Sequence, residues 1–185
     1  MSDRQTAILE AATRCIARKG VRGLRVEELA AEAGVSTALI YYHFGDRAGL
    51  LRRTLEFIND RADRYTAAGV TPAGEPRAIL EQTLLLELQD EPSVRENSTA
   101  WGELRASAIF DPDLREQLSL STRRWVEDIA ELVKGVRPDA SADAAERLTA
   151  LVEGLSERWL SGSITLERAR ELLRGGIALE LGDAG

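Results

Sequence analysis

The chain has 185 residues, 44% of them hydrophobic and 30% charged, with a formal net charge of −7. That length and balance describe a globular chain able to bury a sizeable core as one large or two small domains, and exclude a disordered one. One cysteine and one histidine exclude an internal disulfide framework and a conventional structural zinc site, and no apolar run reaches the ~18 residues of a membrane span.

Apolar residues recur with a helical period almost throughout and show no sustained alternation, so the expected fold class is all-α with about nine helices. The opening stretch MSDRQTAILEAATRCIARKG is charged along its length and has no apolar centre of the signal-peptide kind, which predicts a cytoplasmic protein. The first helix is expected at about 3–19, with Ile8, Ala11, Ala12, Cys15 and Ile16 on one side and Lys19-Gly20 as its stop. Cys15 reads there as a small core residue. Short helices follow at about 26–33 and 37–43, then a longer one at about 47–67. The stretch AAGVTPAGEP is the clearest break. Helices at about 76–89, 93–110 and 113–134 are separated by Glu91-Pro92 and Asp111-Pro112. Gly135 to Ala140 breaks the pattern again before two last helices at about 142–161 and 165–181. Two domains are expected, residues 1–46 and 47–185.

Charge is unevenly spread. Residues 1–53 carry a balance of +3 and the remainder −10. A basic head on an acidic body offers phosphates one attractive face, although a varied solvated surface produces the same numbers.

Within that head, Ala30, Gly34 and Ile40 occupy positions five, nine and fifteen of a 20-residue unit beginning at Val26. This is the spacing of a helix-turn-helix. Ala30 is small enough for the second helix to approach, Gly34 takes the turn's backbone, and Ile40 plugs the space between helices. Ser36 is the natural N-cap of the second helix. At 100° per residue, Ile40 and Phe44 face inward, with Val35 and Leu29 near them. Ala38 and Tyr42 face outward, flanked by Leu39 and Tyr41, and His43 sits at the edge. Hydroxyls and a ring nitrogen on an exposed face can donate to phosphates, and small Ala38 lets the backbone enter a major groove. Packing of Tyr41, Tyr42 and His43 against a neighbouring helix is the alternative. Arg25 ahead and Arg47 behind favour the DNA reading.

The segment LRVEELAAEAGVSTALIYYHFGDRAGLL, residues 24–51, resembles the DNA-binding segment of TetR-type transcriptional regulators. The resemblance covers roughly residues 5–53 and extends to the number of helices. It implies a recognition helix from Thr37 to His43, with DNA contacts from Ser36, Thr37, Ala38, Leu39, Tyr41, Tyr42 and His43. Arg47 stands where such regulators usually carry a phosphate-contacting lysine. Arg25 stands where a threonine commonly opens the second helix, so the cap is lost and a guanidinium is offered to phosphate in its place. Thr37 and Leu39 depart from the commoner choices, which bears on base preference.

The stretch VEGLSERWLSGSITLERARELL, residues 152–173, resembles the end of BetI-like regulators, a branch associated with control by choline-type osmolytes. Leu148, Leu151, Val152, Leu155 and Trp159 form one apolar stripe; Leu166, Ala169, Leu173 and Ile177 form another. The resemblance implies that these two helices pair with those of a second subunit in a four-helix homodimer interface. Gly175 and Gly176, each costing about 1 kcal/mol inside a helix, fit a closely approaching partner. The alternative is that both stripes are covered within the chain.

The resemblance also places Trp101, Phe110 and Trp125 on helices that line a small-molecule pocket, with Glu103 and Arg105 as polar partners. A tryptophan pair near a carboxylate suits a quaternary ammonium, while core packing is the plainer role for each ring. No cofactor, metal ligand set or catalytic group is expected. GDRAG lacks the lysine and hydroxyl of a phosphate-binding loop, and acidic neighbours such as Glu27-Glu28 and Glu127-Asp128 read as solvated helix charge. The expected protein is a homodimeric regulator, most simply a repressor released from an inverted-repeat, double-stranded DNA operator by a small molecule. A DNA-binding protein without an effector stays open, as does a helical enzyme using His43 as general base.

Overall fold

Local chemistry starts most of the helices. Ser2, Ser36 and Thr165 each accept a backbone N–H from the residue three places on, and Asp46 accepts from Gly49 in the same way. Pro76, Pro92 and Pro112 open three more, where a missing N–H costs nothing. The computed structural model describes residues 2–71, 74–140 and 143–182. Among these the elements are α1 Asp3–Lys19, a 3-10 turn Val21–Gly23, α2 Val26–Ala33, α3 Thr37–Phe44, α4 Arg47–Gly69, α5 Pro76–Leu85, α6 Pro92–Ala108, α7 Pro112–Val136, α8 Asp143–Leu160 and α9 Leu166–Leu181. The fold is all-α, as expected. Residues 72–73 of the expected break and residue 142 of an expected helix lie outside the described residues.

One expected helix, 76–89, is shorter. α5 stops at Leu85 although Leu88 beyond it stays buried. The carbonyls freed by that early stop are taken up by side chains: Gln89 donates to the Leu86 oxygen (2.6 Å) and Arg170 to the Leu88 oxygen (2.8 Å). The apolar period continued past the end of the helix because Leu88 packs from a turn.

Packing divides the chain into two units, Met1–Arg61 with Glu96–Ser121 and Ala62–Arg95 with Thr122–Gly185. They interleave in sequence, whereas helix order alone suggests a boundary after residue 46. In the first unit Ile8, Ile16, Leu29, Ile40, Phe44, Leu50 and Leu104 are buried together. Each such side chain contributes about 1.5–3 kcal/mol by leaving water. Gly34 lies in the left-handed region, φ 67° and ψ 34°, as the helix-turn-helix turn requires. At Gly49 a Cβ atom would come within 2.1 Å of the Phe44 carbonyl oxygen, so only glycine lets α4 start this close under α3.

Glu32 on α2 ties that element to α1. It accepts from Arg18 (2.5 Å), Arg14 (2.9 Å) and the buried Cys15 thiol (3.2 Å). Chiefly the Arg18 hydrogen bond holds the Glu32 carboxyl down at about 2, while burial pushes the Cys15 thiol up. A depressed carboxyl adds stability above its unfolded value and loses it as pH falls toward the folded one. Both arginines are well exposed, so the contribution is about 1 kcal/mol. Glu32→Gln should therefore melt a few degrees below wild type near neutral pH, with the difference closing as pH falls from about 5 to about 2. A pH-independent difference in thermal melts would remove this role.

The second unit corrects the expected dimer seam. Leu148, Val152, Leu155 and Trp159 of α8 and Ala169, Leu173 and Ile177 of α9 are buried within the chain itself, together with Leu80 and Leu84 of α5 and Ile129 and Val133 of α7. Leu151 and Leu166 are half-buried. A stripe at helical spacing states that a face must be covered, and here α5 and α7 cover it. Gly176 is explained the same way: a Cβ there would meet the Leu151 side chain at 2.4 Å. Gly154 and Gly175 have nothing within 4 Å of a built Cβ. Gly175 shares an outward face with Leu179, four residues on, while Leu172 is half-buried against the core of this unit.

Candidate nucleic-acid interface

The recognition segment is a short helix with one face fastened and the other free. Ile40 and Phe44 are buried, and the Ser36 hydroxyl caps the first turn by accepting from Leu39 N–H (3.2 Å). On the other face Tyr42 is 81% exposed and Tyr41 46%, with Ala38 exposed between them and the N-cap. Thr37, Leu39 and His43 are half-buried. Tyr42 and His43 meet edge-on with ring centroids 5.2 Å apart. An exposed large aromatic costs solubility unless a surface comes to it.

Arg25 is the N-cap residue of α2 and makes no side-chain cap bond, so its exposed guanidinium is not used to hold the helix. Arg47 begins α4 and donates one N–H to the Val21 carbonyl (2.5 Å), which fixes the side chain while leaving other donors free. Among the described residues Arg14, Arg18, Lys19, Arg52 and Arg53 form ion pairs, those of Lys19 and Arg53 being with Glu28 and Glu56. Among the same residues Arg22, Arg25 and Arg47 form no such pair. Glu28 and Glu32 of α2 are thus turned toward α1, away from Arg22, Arg25 and Arg47, which are left without an ion pair among the described residues.

Two contacts here are invisible to pattern reading. Gln5 of α1 reaches the His43 ring, Nε2 to Nδ1 at 3.5 Å, across 38 residues. Glu103 of α6 accepts the Val21 backbone N–H at 3.2 Å across 82 residues. Ser2-x-x-Gln5 is legible as a capping box, but nothing local indicates that the same amide also meets α3.

The five expected effector residues have separate surroundings. Glu103 is spent on Val21, Arg105 lies over the Trp101 ring at 5.2 Å, and Phe110 is 77% exposed. Trp125 packs against the core of the second unit, whereas the other four belong to the first. In the second unit the half-buried Glu87 accepts from Tyr65 (2.9 Å) and Thr66 (3.2 Å), and burial pushes its carboxyl up. Arg95 stacks on Trp159 at 4.9 Å.

Residues 8–54 match the tetR family of bacterial regulatory proteins, and residues 76–182 match the C-terminal domain of BetI-type transcriptional repressors. The chain belongs to the TetR family of DNA-binding transcriptional regulators. Its fold is that of a TetR-family transcriptional regulator from Rhodococcus sp., with a TM-score of 0.89, 45% identity, and 97% of this chain and 100% of that one covered. A transcriptional regulator from Saccharomonospora viridis in complex with choline is 26% identical, with a TM-score of 0.87 over the whole of both chains. The HTH-type transcriptional regulator BetI of Burkholderia thailandensis is 28% identical over 163 residues, 87% of this chain and 82% of its own length. Among the described residues of this TetR-family regulator, no helix is long and apolar enough to cross a membrane.

Proposed function

We propose that this regulator is a ligand-responsive repressor, a cytoplasmic homodimer released from an inverted-repeat operator when a small molecule binds. The observation that carries the DNA contact is the free face of α3, where Tyr42 stands 81% exposed on a helix whose opposite face is buried. Tyr41, Tyr42, His43, Ser36 and Thr37 supply donors to phosphates and bases, Leu39 and Ala38 supply apolar contact, and Arg25 and Arg47 bracket the helix with charge. Pairing uses the outward face of α8 and α9, with Gly154, Gly175 and Leu179, because the inward stripes are already covered. Two recognition helices then reach successive major grooves about 34–36 Å apart.

The choline complex of the Saccharomonospora viridis relative supports a small organic effector. Glu87 adds to it: a half-buried carboxylate held by two hydroxyls, with no ion pair of its own among the described residues, is complementary to a cation. Effector binding would bias α4, the helix that begins at Arg47 beside the recognition helix, between two positions.

The test is a DNA shift assay on the region upstream of the protein's own coding sequence, repeated across salt concentrations. Binding should weaken as salt rises, and Arg47→Ala should lower affinity for all sequences alike while flattening the salt slope by about one unit. An unchanged slope removes Arg47 from the contact; no binding by the wild-type protein at any salt removes this operator assignment.

A further inference from the structure

We infer that Gln5 is a positioning residue that sets the donor–acceptor sense of His43, so that the recognition helix offers DNA a ring N–H and not a lone pair. This rests on the reading of α3 as the DNA-contacting helix. A neutral imidazole carries its proton on one nitrogen only, and which one is decided by the partner of the other. Here the partner of Nδ1 is the Gln5 amide nitrogen at 3.5 Å. The contact is long, but its sense is determinate, because an amide nitrogen has hydrogens and no lone pair to offer. Nδ1 must therefore accept.

An amide can be turned over, exchanging its nitrogen for its oxygen, and the first turn of α1 prevents this. The Gln5 Oε1 atom accepts the Ser2 backbone N–H at 3.0 Å and lies 3.3 Å from the Ser2 hydroxyl, while the Ser2 hydroxyl accepts Gln5 N–H at 3.3 Å. Turning the amide would leave the Ser2 N–H facing another donor and dismantle the capping box. The cap at the start of α1 thus fixes the orientation of Gln5, and Gln5 fixes the tautomer of His43. The proton is left on Nε2, which has no protein partner among the described residues. An Nε2–H can donate to a phosphate oxygen or to the acceptor atoms of a base edge; the other tautomer would present a lone pair to those same acceptors.

The chain has a single histidine, so the ring nitrogens of a nitrogen-15-labelled sample are assigned without ambiguity. In alkaline buffer, without DNA, the expected spectrum shows an unprotonated Nδ1 and a protonated Nε2. Gln5→Glu keeps the capping box, since glutamate serves there as well as glutamine, but replaces a donor by a group that only accepts. It should place a proton on Nδ1 with α1 helicity and melting temperature unchanged. A protonated Nδ1 in the wild type, or an unprotonated Nδ1 in Gln5→Glu, overturns the inference.

Operator binding supplies the second arm. Gln5→Met, which removes the donor at similar size, should weaken binding about three- to tenfold. In a His43→Ala background it should add nothing. Losses that simply multiply would overturn the positioning role. If the wild type binds no operator, the reading of α3 fails, and the ring spectra decide the hydrogen bond alone.

Discussion

Leu173→Arg is expected to unfold the second unit, not to split a folded dimer. Leu173 is 0% exposed and sits among Leu80, Leu84, Ile129, Leu148 and Val152. The substitution removes a leucine from a close-packed site, a loss of about 2–5 kcal/mol for truncation alone. It then forces a guanidinium into a place with no carboxylate among its core neighbours, which adds several kcal/mol more. The sum is comparable with the whole stability of an ordinary domain, about 5–15 kcal/mol. The measurement is circular dichroism with a thermal melt on the purified protein. A variant that keeps wild-type helicity and melts within a few degrees of wild type would show that Leu173 is not a core residue.

Leu179→Arg is expected to do the opposite: keep the fold and abolish tight operator binding. Leu179 is 89% exposed although it lies on the same helix as Leu173. Its replacement buries no charge within the chain, so stability should change by less than about 0.5 kcal/mol. On the outward face proposed for pairing, each subunit would bring one arginine to the seam, and a two-fold interface would place the substitution in it twice. The expected product is a folded monomer. One recognition helix contacts few bases, and losing the linked second half-site lowers operator affinity by about 10²-fold or more by the arithmetic of effective concentration. Sedimentation and a DNA shift assay on the same sample decide the matter. A Leu179→Arg protein that remains dimeric and binds tightly places the interface elsewhere.

The contrast between those leucines shows where sequence reasoning reaches its limit. The helical fold, the breaks at proline and glycine, and the helix-turn-helix were all legible, because each depends on residues a few positions apart. Ser36 caps the helix it precedes, Gly34 turns the chain it occupies, and Ile40 and Phe44 share a face by the 3.6-residue period. Tyr42 was likewise expected to point outward, and it is the most exposed of the rings in its run.

Tertiary structure decided what covers each face. Amphipathic periodicity identifies an apolar stripe on α8 and on α9 but contains nothing about its partner, so a stripe covered by α5 and α7 reads the same as one covered by a second subunit. The grouping of Trp101, Glu103, Arg105, Phe110 and Trp125 was beyond sequence spacing for a related reason. Pocket membership depends on side-chain direction, and Glu103 turns to a backbone N–H 82 residues away. Gln5 and His43 are joined across 38 residues by the same kind of contact. Short-range geometry determined the elements and the outward face of the recognition helix. Long-range packing determined which leucine is core, which is surface, and which nitrogen of the one histidine faces the protein.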